Sequence, residues 1–186
     1  MECLSDIEVE QLKGVAWNAI EHGAERGGET LSIDAAAYPE ALREPRASFV
    51  TLHKGDRLRG CMGSLEARTP LVEDVARNAN NAAFRDPRFD PVQSAEIPKL
   101  KLKLSVLTPA EPFPVDSEED LLARIRPGED GIILKDGGRR ATFLPAVWDM
   151  VSSSEEFVRQ LKRKAGLPED YWSDRMEVFR YRADEY

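Results

Sequence analysis

The residues best suited to chemistry are concentrated in one hexapeptide, Leu58-Arg59-Gly60-Cys61-Met62-Gly63. If this segment is a strand, its period of two places Arg57, Arg59 and Cys61 on one face and Leu58 and Met62 on the other. A thiol beside guanidinium groups favours its thiolate, so the expected chemistry is that of a nucleophile or redox thiol at Cys61, with Arg59 as its stabiliser. Gly60 and Gly63 remove side-chain cover and let a ligand or another backbone approach closely. The alternative is that Cys61 is a small buried hydrophobe, the commonest state of a free cysteine.

A thiol nucleophile also wants a base, and His53 is the nearest candidate. Hairpin register decides its place. A tight turn at Gly55-Asp56 pairs His53 with Leu58 and turns it away from Cys61; a three-residue loop with a bulge pairs it with Arg57, on the cysteine's face. The sequence favours the tight turn. Downstream, Arg85, Asp86 and Arg88 form either a clamp for an anionic substrate or a salt-bridged loop in which Asp86 holds the arginines. Lys164 is placed as a dipole partner near a helix C-terminus, with a role at the site as the second reading.

These residues sit in a chain of 186 residues with net charge −8 and a charged fraction of 32%. That length suits one domain, with room for two lobes. The acidic balance weighs against nucleic-acid binding. Cys3 and Cys61 suggest free thiols in a reducing cytoplasm. With only His22 and His53 beside them, no ligand pair has the spacing of a zinc site. No Walker loop, Rossmann fingerprint or HExxH motif calls for a cofactor. No signal peptide and no span of roughly 20 apolar residues is visible, so a membrane location is not expected.

The elements that must position the site follow from periodicity and caps. Ser5-Asp6-Ile7-Glu8 is a capping box opening a helix that Gly27-Gly28 ends. Residues 31 to 46 predict a loop. Ala47 to His53 and Arg57 to Ser64 predict a hairpin, and Thr69-Pro70 opens a helix running to Phe84 with an alanine-rich stripe. Leu100 to Val106 alternates as a strand. Pro109, Pro112 and Pro114 then form a stiff connector, dividing lobes at roughly 1–110 and 111–186. Beyond it lie a short helix from Ser117 to Ile125 and a hairpin of Gly131 to Leu134 with Arg140 to Leu144. A helix capped by Ser153 and stopped by Gly166 follows, then a strand from Met176 to Tyr181. Hairpin-then-helix occurs twice, which hints at an internal duplication. The fold class is α+β with an antiparallel sheet and flanking helices.

Several motifs in order also resemble those of a known family. Leu58-Arg59-Gly60-Cys61-Met62-Gly63 resembles the Leu-Arg-Gly-Cys-Ile-Gly signature of the AMMECR1 family, with Met62 in place of the usual Ile and Ser64 where Thr is common. Ala83-Phe84-Arg85-Asp86-Pro87-Arg88-Phe89, Leu104-Ser105-Val106-Leu107, Asp130-Gly131-Ile132, Phe143-Leu144-Pro145 and Lys164-Ala165-Gly166-Leu167-Pro168 agree in sequence. The resemblance covers roughly residues 5 to 182. It implies one AMMECR1-like domain over residues 1–186, with two lobes and the cysteine motif near the cleft between them. It also implies association with a Memo-like protein and a radical-SAM protein, the AmmeMemoRadiSam grouping. It implies no settled reaction, so the sequence points to two functions: a cytoplasmic enzyme or enzyme component acting through Cys61 on a small anionic metabolite, or a non-catalytic scaffold for those two partners.

Overall fold

The computed structural model describes residues 4–186, so the expectation for Cys3 lies outside the described residues. The elements, in chain order, are α1 (Asp6–Glu25), α2 (Glu40–Arg43), β1 (Ser48–Lys54), β2 (Arg57–Gly63), α3 (Leu71–Phe84), β3 (Leu100–Leu107), β4 (Glu111–Pro112), α4 (Glu118–Arg124), β5 (Gly131–Asp136), β6 (Arg139–Phe143), α5 (Ser154–Lys164), β7 (Glu177–Tyr181) and β8 (Ala183–Glu185). Together they form an α+β fold with two antiparallel four-stranded sheets, ordered β2-β1-β3-β8 and β4-β7-β5-β6. No described helix is long and apolar enough to cross a membrane.

The chain divides into two compact units, residues 4–107 with Asp184–Tyr186, and Thr108–Ala183. In the first, the capping box at Ser5 and Glu8 starts α1 as the sequence predicts. Buried Leu12, Ala16, Ala19 and Ile20 of α1 share a core with Val72, Val75, Ala76 and Ala79 of α3 and with Val50, Leu52, Leu104 and Val106 of the sheet. The alanines keep α3 low on the sheet, so the helix backbone itself reaches β2. In the second unit, Trp148 stacks on Phe157 with ring centroids 4.0 Å apart and donates its indole N–H to the Asp130 carbonyl at 2.8 Å.

The duplication hinted at by the sequence is visible in the topology. Each unit runs hairpin, helix, third strand, and in each the third strand pairs with the first: β2-β1-β3 around α3, β6-β5-β7 around α5. A short fourth strand completes each sheet within its own unit: β4 pairs with β7 in the second, and in the first the main chain of Tyr186, just after β8, pairs with Leu104 at 2.8 and 3.0 Å.

Three features differ from the sequence reading. The segment 31–46 contains a 3₁₀ turn at Ala35–Ala37, begun by the Asp34 side chain accepting the Ala36 N–H at 3.1 Å, and the short α2. The proline connector contains β4, because Pro112 stands in an edge strand where its missing N–H costs no ladder bond. β8 is too short and too charged to show an alternating pattern.

Candidate functional site at the edge of the first sheet

The hairpin turn is the tight one: Lys54 pairs with Arg57 and His53 with Leu58 around Gly55, whose φ of 61° only glycine adopts freely. Beyond that pair the register shifts. Leu52 faces Gly60 and Thr51 faces Cys61, leaving Arg59 as the extra residue of a β-bulge. One inserted residue reverses the facing of everything after it. Directly paired residues project to one face, so Cys61 shares its face with Thr51, His53 and Leu58, while Gly60 and Met62 face the helices. Two expectations are corrected by this bulge. Arg59 is not on the cysteine's face, and His53 is.

Arg59 is committed elsewhere. Its Nε and Nη2 donate to Glu96 at 3.3 and 3.0 Å, and Lys54 Nζ reaches the same carboxylate at 2.7 Å. These bonds, that of Arg59 foremost, hold the Glu96 carboxyl down to a pKa of about 2. Arg59 therefore ties β2 to the segment before β3 instead of stabilising a thiolate.

Cys61 is half-buried, and its Sγ lies 3.1 Å from Thr51 Oγ1. Its main chain is gripped from the open side of the strand. The Cys61 N–H donates to Asp86 Oδ2 at 2.9 Å, and Arg88 Nη2 donates to the Cys61 carbonyl at 3.3 Å. Those groups point away from β1, so Thr51 and Cys61 form a non-hydrogen-bonded pair, the kind that brings side chains closest. Asp86 and Arg88 take the place of a neighbouring strand and close the sheet edge at this one residue.

The loop holding them is itself rigid. Asp86 accepts Arg88 N–H, Nε and Nη2 at 3.1, 2.9 and 2.7 Å. The Arg88 guanidinium, ahead of the Cys61 amide, holds the carboxyl of the buried Asp86 well below the usual carboxylate range. Arg88 is raised in turn, chiefly by its hydrogen bond to Asp86. Arg88, not Arg59, is the arginine that contacts Cys61, through the main-chain carbonyl. The side chain of Arg85, at the C-cap of α3, is exposed and makes no side-chain hydrogen bond or ion pair among the described residues.

The two glycines serve packing. A Cβ on Gly60 would stand 2.0 Å from the Ala82 carbonyl oxygen of α3, and one on Gly63 would stand 2.2 Å from the Phe49 ring. Of the two close approaches the sequence allowed at Gly60, by a ligand or by another backbone, the one present is that of the helix backbone. Lys164 belongs to the second unit, where its Nζ donates to the Thr142 carbonyl at 2.9 Å and lies 5.0 Å from the Phe143 ring centroid. When the two hairpins are aligned on their turns, allowing for the bulge, Thr142 is the counterpart of Cys61. Lys164 on Thr142 thus resembles Arg88 on Cys61, each a cation capping an edge carbonyl, Lys164 from the last residue of α5 and Arg88 from the loop after α3.

Sequence reasoning missed Thr51 and Glu96. Without the bulge a tight turn would set Val50 opposite Cys61, and nothing local marks Glu96 as the partner of Arg59. It also missed a buried polar network beside the site, in which Asp74 accepts from Ser48 N–H and Oγ at 2.9 and 2.8 Å and from Asn78 Nδ2 at 2.8 Å. Ser64 Oγ joins at 2.8 Å, and Arg77 pairs with the same carboxylate. Among the described residues no three His, Cys, Asp or Glu side chains converge as a metal-binding group.

The family model for AMMECR1 matches residues 14–186. A protein of Methanothermobacter thermautotrophicus is 39% identical over 97% of this chain and 94% of its own length. Protein MJ0810 of Methanocaldococcus jannaschii is 38% identical over 84% of this chain and 79% of its own. Among solved structures, the uncharacterized protein PH0010 from Pyrococcus horikoshii superposes with a TM-score of 0.79 and 33% identity, covering 98% of this chain and 92% of its own.

Proposed function

The chain belongs to the AMMECR1 family, and from that premise we propose that it is a cytoplasmic enzyme or enzyme component whose Cys61 thiol acts on a small anionic metabolite. The observation that carries this reading is the environment of Cys61: a half-buried thiol with its sulfur 3.1 Å from a hydroxyl, on a main chain clamped by a buried carboxylate and a guanidinium. With the thiol ionised, Thr51 donates to the sulfur, and the Arg88 charge lies beside the same residue. Arg88 uses Nε and Nη2 within the loop, which leaves Nη1 and the exposed Arg85 for a carboxylate or phosphate. His53, one cross-strand pair along the same face, is the base within reach of a bound substrate.

Iodoacetamide labelling tests the thiol directly. Cys61 should react at pH 7 much faster than a model thiol, and Thr51→Val should slow it while Arg59→Ala leaves it unchanged. Labelling no faster than the model thiol would remove the basis for a reactive cysteine.

A second reading is favoured by a different observation. The Asp86 carboxylate accepts the Cys61 N–H and three Arg88 donors, so the Cys61 and Arg88 motifs also make sense as a rigid edge presented to partners. On this reading the chain is a scaffold for Memo-like and radical-SAM proteins. Pull-downs against both would then survive Cys61→Ser and fail with Arg85→Glu.

A further inference from the structure

We propose that the face of the first sheet opposite α1 and α3 docks an extended acidic segment of a partner protein, a role that covers Cys61 but does not require its thiol to react. In β1, Val50 and Leu52 point into the helix-covered core, so Phe49, Thr51 and His53 point the other way. Register extends this face across three strands: Thr51 lies between Cys61 and Lys103, and His53 lies between Leu58 and Lys101.

The second unit shows how differently the same positions are treated there. Ile133 and Thr142, the counterparts of Thr51 and Cys61, are 6% and 8% exposed. In the first unit both residues are half-buried, Lys101 and Lys103 are exposed, and Leu58 is 38% exposed. The face is therefore open in one repeat and closed in the other.

Charge decides the occupant. The chain carries −8 overall, yet this face presents Lys101, Lys103 and His53 in adjacent rows. Lys101 has no ion pair among the described residues. Lys103 meets Glu185 at 2.7 Å with both side chains about half exposed, the kind of surface pair that exchanges readily for another carboxylate. A polyphosphate backbone would find too few cations on an acidic chain. Leu58 and Phe49 on the same face suit instead an extended peptide whose every second residue is acidic or apolar in turn, so that both kinds of side chain project to the sheet.

The test uses the full chain and a fluorescein-labelled peptide in which Glu and Leu take turns at every second position, with Ser between them, so that both project to one face; binding is read by anisotropy at low salt. Binding should weaken roughly fivefold or more in Lys101→Glu/Lys103→Glu, taking two reversed surface contacts. The charge-matched Arg26→Glu/Arg43→Glu variant should bind as the parent does. Absence of binding, equal loss in the control variant, or tighter binding of a 20-nucleotide single strand than of the peptide would each overturn the proposal. Circular dichroism identical to the parent establishes that the variants are folded.

Discussion

Replacing Asp86 by Asn is the sharpest probe of how the site is held. The carboxylate accepts four hydrogen bonds, from the Cys61 N–H and from the N–H, Nε and Nη2 of Arg88. An amide of the same shape offers one accepting oxygen and turns a donating NH₂ toward the remaining donors. A hydrogen bond to a charged group contributes about 1.5–3 kcal/mol. The Arg88 side chain is 54% exposed, so water recovers much of what it loses and its share falls to about 0–1 kcal/mol. The Cys61 amide has no such recourse while the loop stays in place. The summed cost is about 1.5–4 kcal/mol, and it should fall on the β2 edge before it reaches the rest of the unit. Amide hydrogen exchange followed by NMR reads this residue by residue. A local loss of about 2 kcal/mol speeds Cys61 exchange roughly 30-fold, with core amides such as Leu52 and Leu104 changing far less. Unchanged Cys61 exchange in a folded Asp86→Asn protein would refute the strand-substitute role of this loop.

Other consequences follow from the same geometry. Gly60→Ala forces a methyl to within 2.0 Å of a helix carbonyl and should cost several kcal/mol or prevent folding, whereas Gly138→Ala meets nothing within 4 Å and should leave the melting temperature nearly unchanged. The Glu96 carboxyl titrates at about 2 in the fold against 4.5 unpaired, so its contribution is complete above about pH 4.5 and disappears as pH falls through about 2. That shift corresponds to on the order of 2–3 kcal/mol after allowance for partial solvent exposure. Urea midpoints measured between pH 5 and pH 2.5 should therefore fall less steeply in Glu96→Gln than in the parent.

The longer helices, the hairpins and the fold class could be read from sequence because their signals are local: a capping box at Ser5, alanine spacing in α3, alternation in β3. The site could be read only in part. Cys61, Asp86 and Arg88 stand out as residue types, and the tight turn is marked by Gly55-Asp56. The bulge at Arg59 is not marked, because the glycine after it answers to the Ala82 carbonyl of a helix far along the chain. That single inserted residue exchanged the places of Arg59 and His53 and brought Thr51 opposite the thiol. Side-chain partners chosen by tertiary contact, such as Glu96 for Arg59, leave no trace in the spacing.

The internal repeat offers a control within the same molecule. Thr142 stands where Cys61 stands, on an edge strand with its carbonyl capped by a cation. It lacks two things that Cys61 has: a carboxylate on its amide and an open face, for it is 8% exposed and its hydroxyl lies 2.8 Å from Tyr181 Oη. If the Asp86–Arg88 loop and the open face make the thiol reactive, a cysteine moved to the second position should be inert. Thr142→Cys in a Cys61→Ser background is thus expected to react with iodoacetamide at least tenfold more slowly than Cys61, given the dependence of thiol reactivity on access and charge. Comparable rates at both positions would mean that an edge cysteine beside any cation suffices, and the bulge, Thr51 and Asp86 would lose their claim to a chemical role.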